Sequence, residues 1–177
     1  REAARCARRW QEAGLSCLPV AVNLSSVQFQ TSGFTALVEQ ILKEERVSGE
    51  VLEFELTERM LMDDLPEVKR KLSELKDLGI RISVDDFGTG YSSLAHLKEL
   101  PIDKMKIDRS FVMGLPFERD SAAIARAIVQ MARGLSLAVI AEGVETEAQC
   151  AFLSQLECDE LQGMLISPPL PLAEFEA

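Results

Sequence analysis

Polar side chains recur at the ends of short apolar segments along this chain of 177 residues. Asn23, Asp85, Asp86 and Glu142 stand where such segments end, Glu55 and Lys106 lie inside segments close to their ends, and Gln162 lies near the start of the last segment. A carboxylate within an apolar segment is costly to bury unless a cation or hydrogen bonds compensate its charge. A single one is compatible with a structural ion pair. A series at successive segment ends indicates a site where these groups meet.

The oxygen donors in this series suit a hard divalent cation. They come from Asn23, Glu55, Asp85, Asp86 and Glu142, with neither Cys nor His among them. Such donors favour Mg²⁺ or Mn²⁺ over zinc. Because Asp85 and Asp86 are adjacent, they could bridge two ions about 3.5–4 Å apart. This pattern indicates metal-assisted hydrolysis of a phosphate ester.

Lys106 would place a positive charge beside these carboxylates, where it could orient a water or neutralise a developing phosphoryl charge. Its alternative role is a salt bridge to one of the same carboxylates, and a network of structural ion pairs is the alternative for the whole set. A barrel that uses Mg²⁺ and a lysine base on a carboxylic acid is a third reading. It is weaker because no second Lys or His base stands at a strand end.

The elements that must position these groups alternate between strands and helices. Strands are predicted at 18–24, 52–56, 80–84, 104–107, 137–141 and, more weakly, 161–166. Both faces of the strands are apolar and the connections carry helical patterns, so we expect a parallel sheet with right-handed crossovers. A barrel and a doubly wound sheet both satisfy this, and both place ligands at the carboxyl ends of their strands.

Helices are predicted from apolar periodicity and from capping residues. The first ends at Gly14, another follows the apolar stripe from Phe34 to Leu42, and a third runs from Asp64 to Gly79. A fourth follows Asp120. Thr146 and Gln149 have the spacing of a capping box and predict the start of the last long helix.

Composition sets limits on the function. The chain is 47% hydrophobic and 27% charged, and its 19 basic against 29 acidic residues give a net charge of −10. That charge disfavours binding of a nucleic-acid polymer. The four cysteines form no Cys-x-x-Cys pair, which predicts buried, reduced thiols and a cytoplasmic protein.

Six stretches together resemble the EAL-domain family of cyclic di-GMP phosphodiesterases. They are Asn23-Leu24-Ser25, Glu55-Leu56-Thr57-Glu58, DDFGTGYSSL at 85–94, Lys106-Ile107-Asp108-Arg109-Ser110-Phe111, Ala141-Glu142-Gly143-Val144-Glu145-Thr146 and Gln162-Gly163 followed by Pro168-Pro169. The resemblance implies an α/β fold of the TIM-like (β/α) barrel type, with about six of its eight βα units in this chain. It also implies hydrolysis of cyclic di-GMP to linear pGpG by a two-metal mechanism with Mg²⁺ or Mn²⁺.

The resemblance assigns roles residue by residue. Metal-site positions are matched by Asn23, Glu55, Asp85, Asp86 and Glu142, and catalytic positions by Lys106, Glu142, Asp85 and Asp86. Glu58 matches a glutamate that anchors the loop at 85–93. Gln162 matches a glutamine of the active-site rim, and Glu145 is similar to a secondary acidic position there.

The motif Glu-Ala-Leu that names the family does not occur in this chain. We therefore expect residues 1–177 to be an N-terminally incomplete EAL-type domain, with the motif upstream of Arg1. A catalytically inactive cyclic di-GMP receptor is the alternative function. The resemblance also implies a homodimer and upstream sensor or cyclase domains, in a cytoplasmic protein whose parent could be membrane-tethered.

Overall fold

A computed structural model describes residues 1–15, 19–62, 64–88 and 94–176, with the backbone alone at 94–95. The chain forms two compact units. The first consists of Arg1–Val84 with Tyr91–Asp103, and the second of Asp85–Gly90 with Lys104–Ala177.

The first unit holds two complete strands and the beginning of a third. The strands are β1 (Val20–Asn23), β2 (Leu52–Thr57) and β3 (Arg81–Phe87), which lie in this order. β1 and β2 are parallel, in a register that runs from Val20 opposite Leu52 to Asn23 opposite Glu55. The helices are α1 (Glu2–Glu12), α2 (Ser26–Gln30), α3 (Phe34–Glu45), a 3₁₀ helix (Gly49–Val51), α4 (Glu58–Leu61), α5 (Leu65–Asp77) and α6 (Leu94–Leu97).

Apolar packing and a few polar contacts hold the first unit together. Its fully buried side chains include Leu56, Leu72 and Leu75. Asp103 fastens the start of β3, because its carboxylate accepts a hydrogen bond from the Ile82 amide at 2.8 Å and contacts Lys76 Nζ at 2.5 Å. The carboxylate just before one strand thus secures the amide of another.

The second unit contains the end of β3 and three further strands. Its strands β4 (Lys104–Ile107), β5 (Ala138–Ala141) and β6 (Glu160–Leu161) follow β3 in chain order. β4, β5 and β6 pair in parallel. Asp159 accepts a hydrogen bond from the Val139 amide at 2.7 Å, as Asp103 does from Ile82. The helices are α7 (Arg109–Met113), α8 (Arg119–Gly134), α9 (Glu147–Gln155) and α10 (Leu172–Phe175).

Most predicted elements are confirmed. The predicted helix after Asp64 begins at Leu65, and the Asp64 side chain accepts from the Glu67 amide. The capping box of Thr146 and Gln149 is present at the start of α9. The short helices α2, α4 and α7 were not predicted, because four or five residues carry too little periodicity to reveal a helix.

The predicted strand at 161–166 is wrong over most of its length. β6 ends at Leu161, and the amides of Ile166 and Ser167 donate to the Gly163 carbonyl in a turn. The chain then enters Pro168-Pro169, and proline cannot donate to a ladder. At the other end of the sheet, β1 begins at Val20, and the predicted start at Leu18 lies outside the described residues.

Within the described ranges, no helix has both the length and the apolar character of a transmembrane span. The thiols of Cys6, Cys150 and Cys158 are free. Cys6 is buried, as predicted, but Cys150 and Cys158 are only half-buried, and Cys17 lies outside the described residues. Burial raises the pKa of the Cys158 thiol to about 11. The Glu160 carbonyl lies 3.4 Å from its sulfur and accepts the hydrogen bond of the thiol.

We predict that alkylation of Cys158 rises by about tenfold for each pH unit between pH 8 and pH 10, because only the thiolate reacts. A thiol with an ordinary pKa of about 8.5 would instead level off above about pH 9. Iodoacetamide labelling followed by peptide mass spectrometry measures the rate, with Cys158→Ser as the control that removes the signal. A plateau at or below pH 9 would contradict the raised pKa.

Ser83 offers a second test of the fold. Its side chain is 0% exposed, and its hydroxyl has no hydrogen-bond partner among the described residues. A buried polar group without a partner costs about 1–3 kcal/mol, so we expect Ser83→Ala to raise the free energy of unfolding by about 1 kcal/mol. Urea denaturation measures the change. The control is Ser73→Ala at an exposed helical position, where a shift below about 0.5 kcal/mol is expected.

Candidate functional site

In the first unit, two of the predicted ligands are neighbours across a strand pair. Asn23 is the last residue of β1 and lies opposite Glu55 of β2, whose residue exposure is 8%. The pairing continues for one residue, because the Leu24 amide donates to the Glu55 carbonyl at 3.0 Å. Ser25 then caps α2 through a capping box with Gln28. The strand end that carries Asn23 is therefore fixed from both directions.

Glu58 is also part of the first unit. It is buried and is the first residue of α4, directly after β2. The loop that it is expected to anchor includes residues 89–93, which lie outside the described residues. The assigned role of Glu58 therefore stays a prediction.

In the second unit, Lys106 brings two predicted residues together. Its side chain is 3% exposed, and its Nζ contacts Asp85 Oδ1 at 3.2 Å and Glu142 Oε1 at 2.5 Å. Since both oxygens contact one nitrogen, they are at most about 5.7 Å apart. These contacts are the salt bridges that the sequence left open as an alternative for Lys106, and they also join the ends of β3, β4 and β5.

Asp86 follows in an unusual backbone conformation. Its φ of 54° lies in the left-handed region, which Asp tolerates better than most side chains, and its amide donates to Asp85 Oδ1 at 3.0 Å. Partial desolvation raises the pKa of Asp86, as do the negative charges of Asp85 and Asp108, while Lys106 lowers it. Negative charge is therefore concentrated at the end of β3, where a cation would be stabilised.

The remaining predicted residues surround a cavity of about 340 Å³ in the second unit. Its lining includes Glu142, Glu145, Gln162, Arg109, Met164 and Pro168. The Gln162 carbonyl accepts a hydrogen bond from the Val144 amide at 3.0 Å. Gly163 lies so close that a Cβ there would be 2.1 Å from the Val144 carbonyl oxygen. The segment after β6 is thus packed tightly against the turn after β5.

The structure brings the predicted residues together in three local groups. Asn23 and Glu55 pair in the first unit, while in the second Lys106 joins Asp85 and Glu142, and the cavity gathers Glu142, Glu145 and Gln162. Across the described ranges, no set of three or more His, Cys, Asp or Glu side chains is arranged to hold a metal ion. The metal-ligand assignments therefore stay predictions.

Arg109 lies in one of the six stretches that carry the resemblance, but sequence reasoning assigned it no role at the site. Its Nη2 contacts Glu145 Oε1 at 2.6 Å, and it lines the cavity. A sequence signal was available, because Arg109 comes three residues after Lys106 and two residues after the predicted strand end. Its partner lies 36 residues away, and a single sequence does not reveal that pairing.

Parallel strands with acidic and basic groups near their carboxyl ends are typical of an α/β domain. Residues 1–169 match the family described as EAL domain. The chain therefore belongs to the EAL domain family, whose members are TIM-like barrels.

Solved structures and curated relatives agree with this assignment. The PaMucR phosphodiesterase in a c-di-GMP complex matches 98% of this chain and 70% of its own, at 44% identity and a TM-score of 0.94. The EAL domain of Mycobacterium smegmatis DcpA is 36% identical, with a TM-score of 0.90, over 99% of this chain and 79% of its own.

Among curated proteins, the signaling protein YkoW of Bacillus subtilis is 46% identical over 99% of this chain and 22% of its own length. The cyclic di-GMP phosphodiesterase NbdA of Pseudomonas aeruginosa is 44% identical over 99% of this chain and, again, 22% of its own length. The chain therefore spans about a quarter of the length of the curated relatives that it matches.

We predict that Lys106→Met lowers the free energy of unfolding by about 3–5 kcal/mol, because it leaves Asp85 and Glu142 without their shared cation. Lys104→Met is the matched control. Lys104 is also buried, but the side chain of its partner Glu160 is 49% exposed and can be solvated. Denaturant unfolding in EDTA compares the two variants. Equal losses in the free energy of unfolding of the two variants would show that the two carboxylates around Lys106 do not make it more important for stability than Lys104.

Proposed function

We propose that this chain is part of a metal-dependent phosphodiesterase that hydrolyses cyclic di-GMP to linear pGpG. The observation that carries the proposal is the contact of Lys106 with Asp85 and Glu142, which places one cation and two carboxylates at adjoining strand ends. Its family membership supports the substrate, because NbdA is named a cyclic di-GMP phosphodiesterase.

The side chains present fit divalent cations by their chemistry. The donors would be Asn23, Glu55, Asp85, Asp86 and Glu142, all with oxygen atoms, as Mg²⁺ and Mn²⁺ prefer. Desolvation, followed by the negative charges of Asp85 and Asp108, raises the pKa of Asp86, and Asp85 and Glu142 both contact Lys106 Nζ. When bound, two such ions would lower the pKa of a water and neutralise phosphoryl oxygens.

The protein groups would position the water and accept its proton. Lys106 Nζ contacts Glu142 Oε1 at 2.5 Å, which orients this carboxylate. Glu142 is then placed to accept a proton from the attacking water. The Lys106 ammonium, at the same point, would stabilise negative charge that builds up on the phosphoryl group.

We propose that the cavity beside Glu142 is the binding site of a guanine base. It offers polar groups at Glu145 and Gln162, while Met164 and Pro168 supply apolar surface against which a flat ring can pack. A few polar groups in a largely apolar pocket are typical of sites for small ligands.

The net charge makes divalent cations more important than general electrostatic attraction. With a net charge of −10, the chain repels an anionic dinucleotide. Its long-range electrostatic field therefore does not attract the substrate. Binding must depend on local cations at the strand ends. We infer that removing divalent ions weakens activity far more than raising the ionic strength.

We also propose that the parent protein is cytoplasmic, carries the Glu-Ala-Leu segment upstream of Arg1, and contains sensor or cyclase domains. The last point is supported by MucR of Pseudomonas aeruginosa, a bifunctional diguanylate cyclase and cyclic di-GMP phosphodiesterase, of which this chain covers 26%. A homodimer is part of the same proposal.

We predict that Asp85→Asn in the full-length protein lowers the rate of pGpG formation by about 10²-fold or more, because it removes charge without changing side-chain volume. Asp77→Asn, at the exposed end of α5, makes the same change in charge and should leave the rate unchanged. Product formation from cyclic di-GMP with Mg²⁺ or Mn²⁺ measures the effect, and thermal unfolding verifies the fold.

The same assay separates the enzyme from its alternative. Tight binding of cyclic di-GMP in EDTA, with no pGpG formed by the wild-type protein in Mg²⁺ or Mn²⁺, would identify a receptor and overturn the proposed hydrolysis.

A further inference from the structure

The turn that carries Glu142 is held by a side chain to which neither the sequence motifs nor the proposed reaction gives a role. This turn, residues 142–146, connects β5 to α9. Arg109 is the first residue of α7, and Asp108 caps that helix by accepting from the Ser110 amide at 3.0 Å. The backbone position of Arg109 is therefore fixed by the capped start of α7.

Arg109 spans the turn from one side to the other. Its guanidinium contacts Glu145 Oε1 at 2.6 Å, and its methylene stem lies against Gly143. A Cβ on Gly143 would be 2.3 Å from Arg109 Cγ and 2.9 Å from Cδ, well inside van der Waals contact. Only a glycine fits under this stem, and its φ of 71° also favours glycine.

The stem contributes more than the ion pair. The side chains of Arg109 and Glu145 are 59% and 43% exposed. Solvated ion pairs of this kind contribute about 0–1 kcal/mol to the free energy of unfolding. The stem, in contrast, occupies the space directly above the backbone that follows Glu142. Since Glu142 and Gly143 share a peptide bond, any shift of Gly143 moves the carboxylate that contacts Lys106 at 2.5 Å.

Other contacts hold the later part of the turn without Arg109. The side-chain oxygen of buried Gln149 accepts from the amides of Glu145 at 2.8 Å and Thr146 at 3.0 Å. Its amide nitrogen donates to the Val112 carbonyl at 3.2 Å. The Val144 amide donates to the Gln162 carbonyl at 3.0 Å. Loss of Arg109 should therefore loosen the segment around Gly143 and leave the fold in place.

We propose that Arg109 is a positioning residue, which fixes Glu142 through the contact of its stem with Gly143 and orients Glu145 at the cavity. This inference rests on the proposed phosphodiesterase function for its catalytic consequence. Arg109 takes no part in proton transfer, so its effect should fall on kcat, because a catalytic group displaced by about 1 Å can cost about 10²-fold in rate.

Two substitutions separate the stem from the charge. In the full-length protein, Arg109→Ala removes both and should lower kcat by about 10- to 100-fold. Arg109→Met keeps most of the stem and should stay within about threefold of wild type, in line with the small worth of an exposed ion pair. Arg133→Ala is the matched control, since Arg133 forms an exposed pair with Glu157 at 2.6 Å. Equal kcat in Arg109→Ala and Arg133→Ala would overturn the proposal.

A double-mutant cycle tests the contact itself. Gly143→Ala should lower kcat because its new Cβ meets the Arg109 stem. In the double variant Arg109→Ala with Gly143→Ala, that clash is gone, so the combined loss should be smaller than the product of the two single losses. Losses that simply multiply would show that the two residues act independently, and would overturn the proposed contact.

Amide hydrogen exchange gives a readout that does not depend on turnover. Exchange at residues 142–144 should be faster in Arg109→Ala than in wild type, and unchanged in Arg109→Met and Arg133→Ala. If the wild-type protein forms no pGpG, the proposed function fails while this exchange pattern still decides the role of Arg109. Unchanged exchange in Arg109→Ala would overturn that role even in an active enzyme.

Discussion

A buried ammonium group between two carboxylates is the interaction on which the second unit depends. Lys106 lies within β4, and its contacts reach Asp85 at the end of β3 and Glu142 just after β5. Such a group is stable in a protein interior only if its partners are fixed, because desolvation costs several kcal/mol per ion. The strand ends must therefore hold their geometry for the fold as well as for the proposed chemistry.

That requirement explains the many supports of the turn after β5. Gln149 binds its later amides, the segment after β6 packs against Val144, and Arg109 lies over Gly143. Each support comes from a different element, so the turn is constrained from several directions. The carboxylate of Glu142 is thereby placed by backbone contacts that do not themselves need to react.

The sequence predicted the strands and their polar ends well, because apolar runs and charged residues at their ends are local signals. It predicted the capping box at Thr146 for the same reason. It could not predict the pairing of Arg109 with Glu145 or the close approach of Gly163 to Val144, which depend on how distant segments meet. The weak strand at 161–166 failed because its apolar residues lie in an exposed turn before two prolines.

The carboxylates of Asp103 and Asp159 stand just before β4 and β6, where each secures an amide of another strand. Asp85 and Glu142, in contrast, stand at the far ends of their strands. The acids that fasten the sheet are thus different residues from those proposed to react. A descendant gene can consequently lose the reactive acids and keep the architecture if the buried Lys106 that pairs with them is replaced by an uncharged residue at the same time, which offers a route from an enzyme to a non-catalytic signalling module.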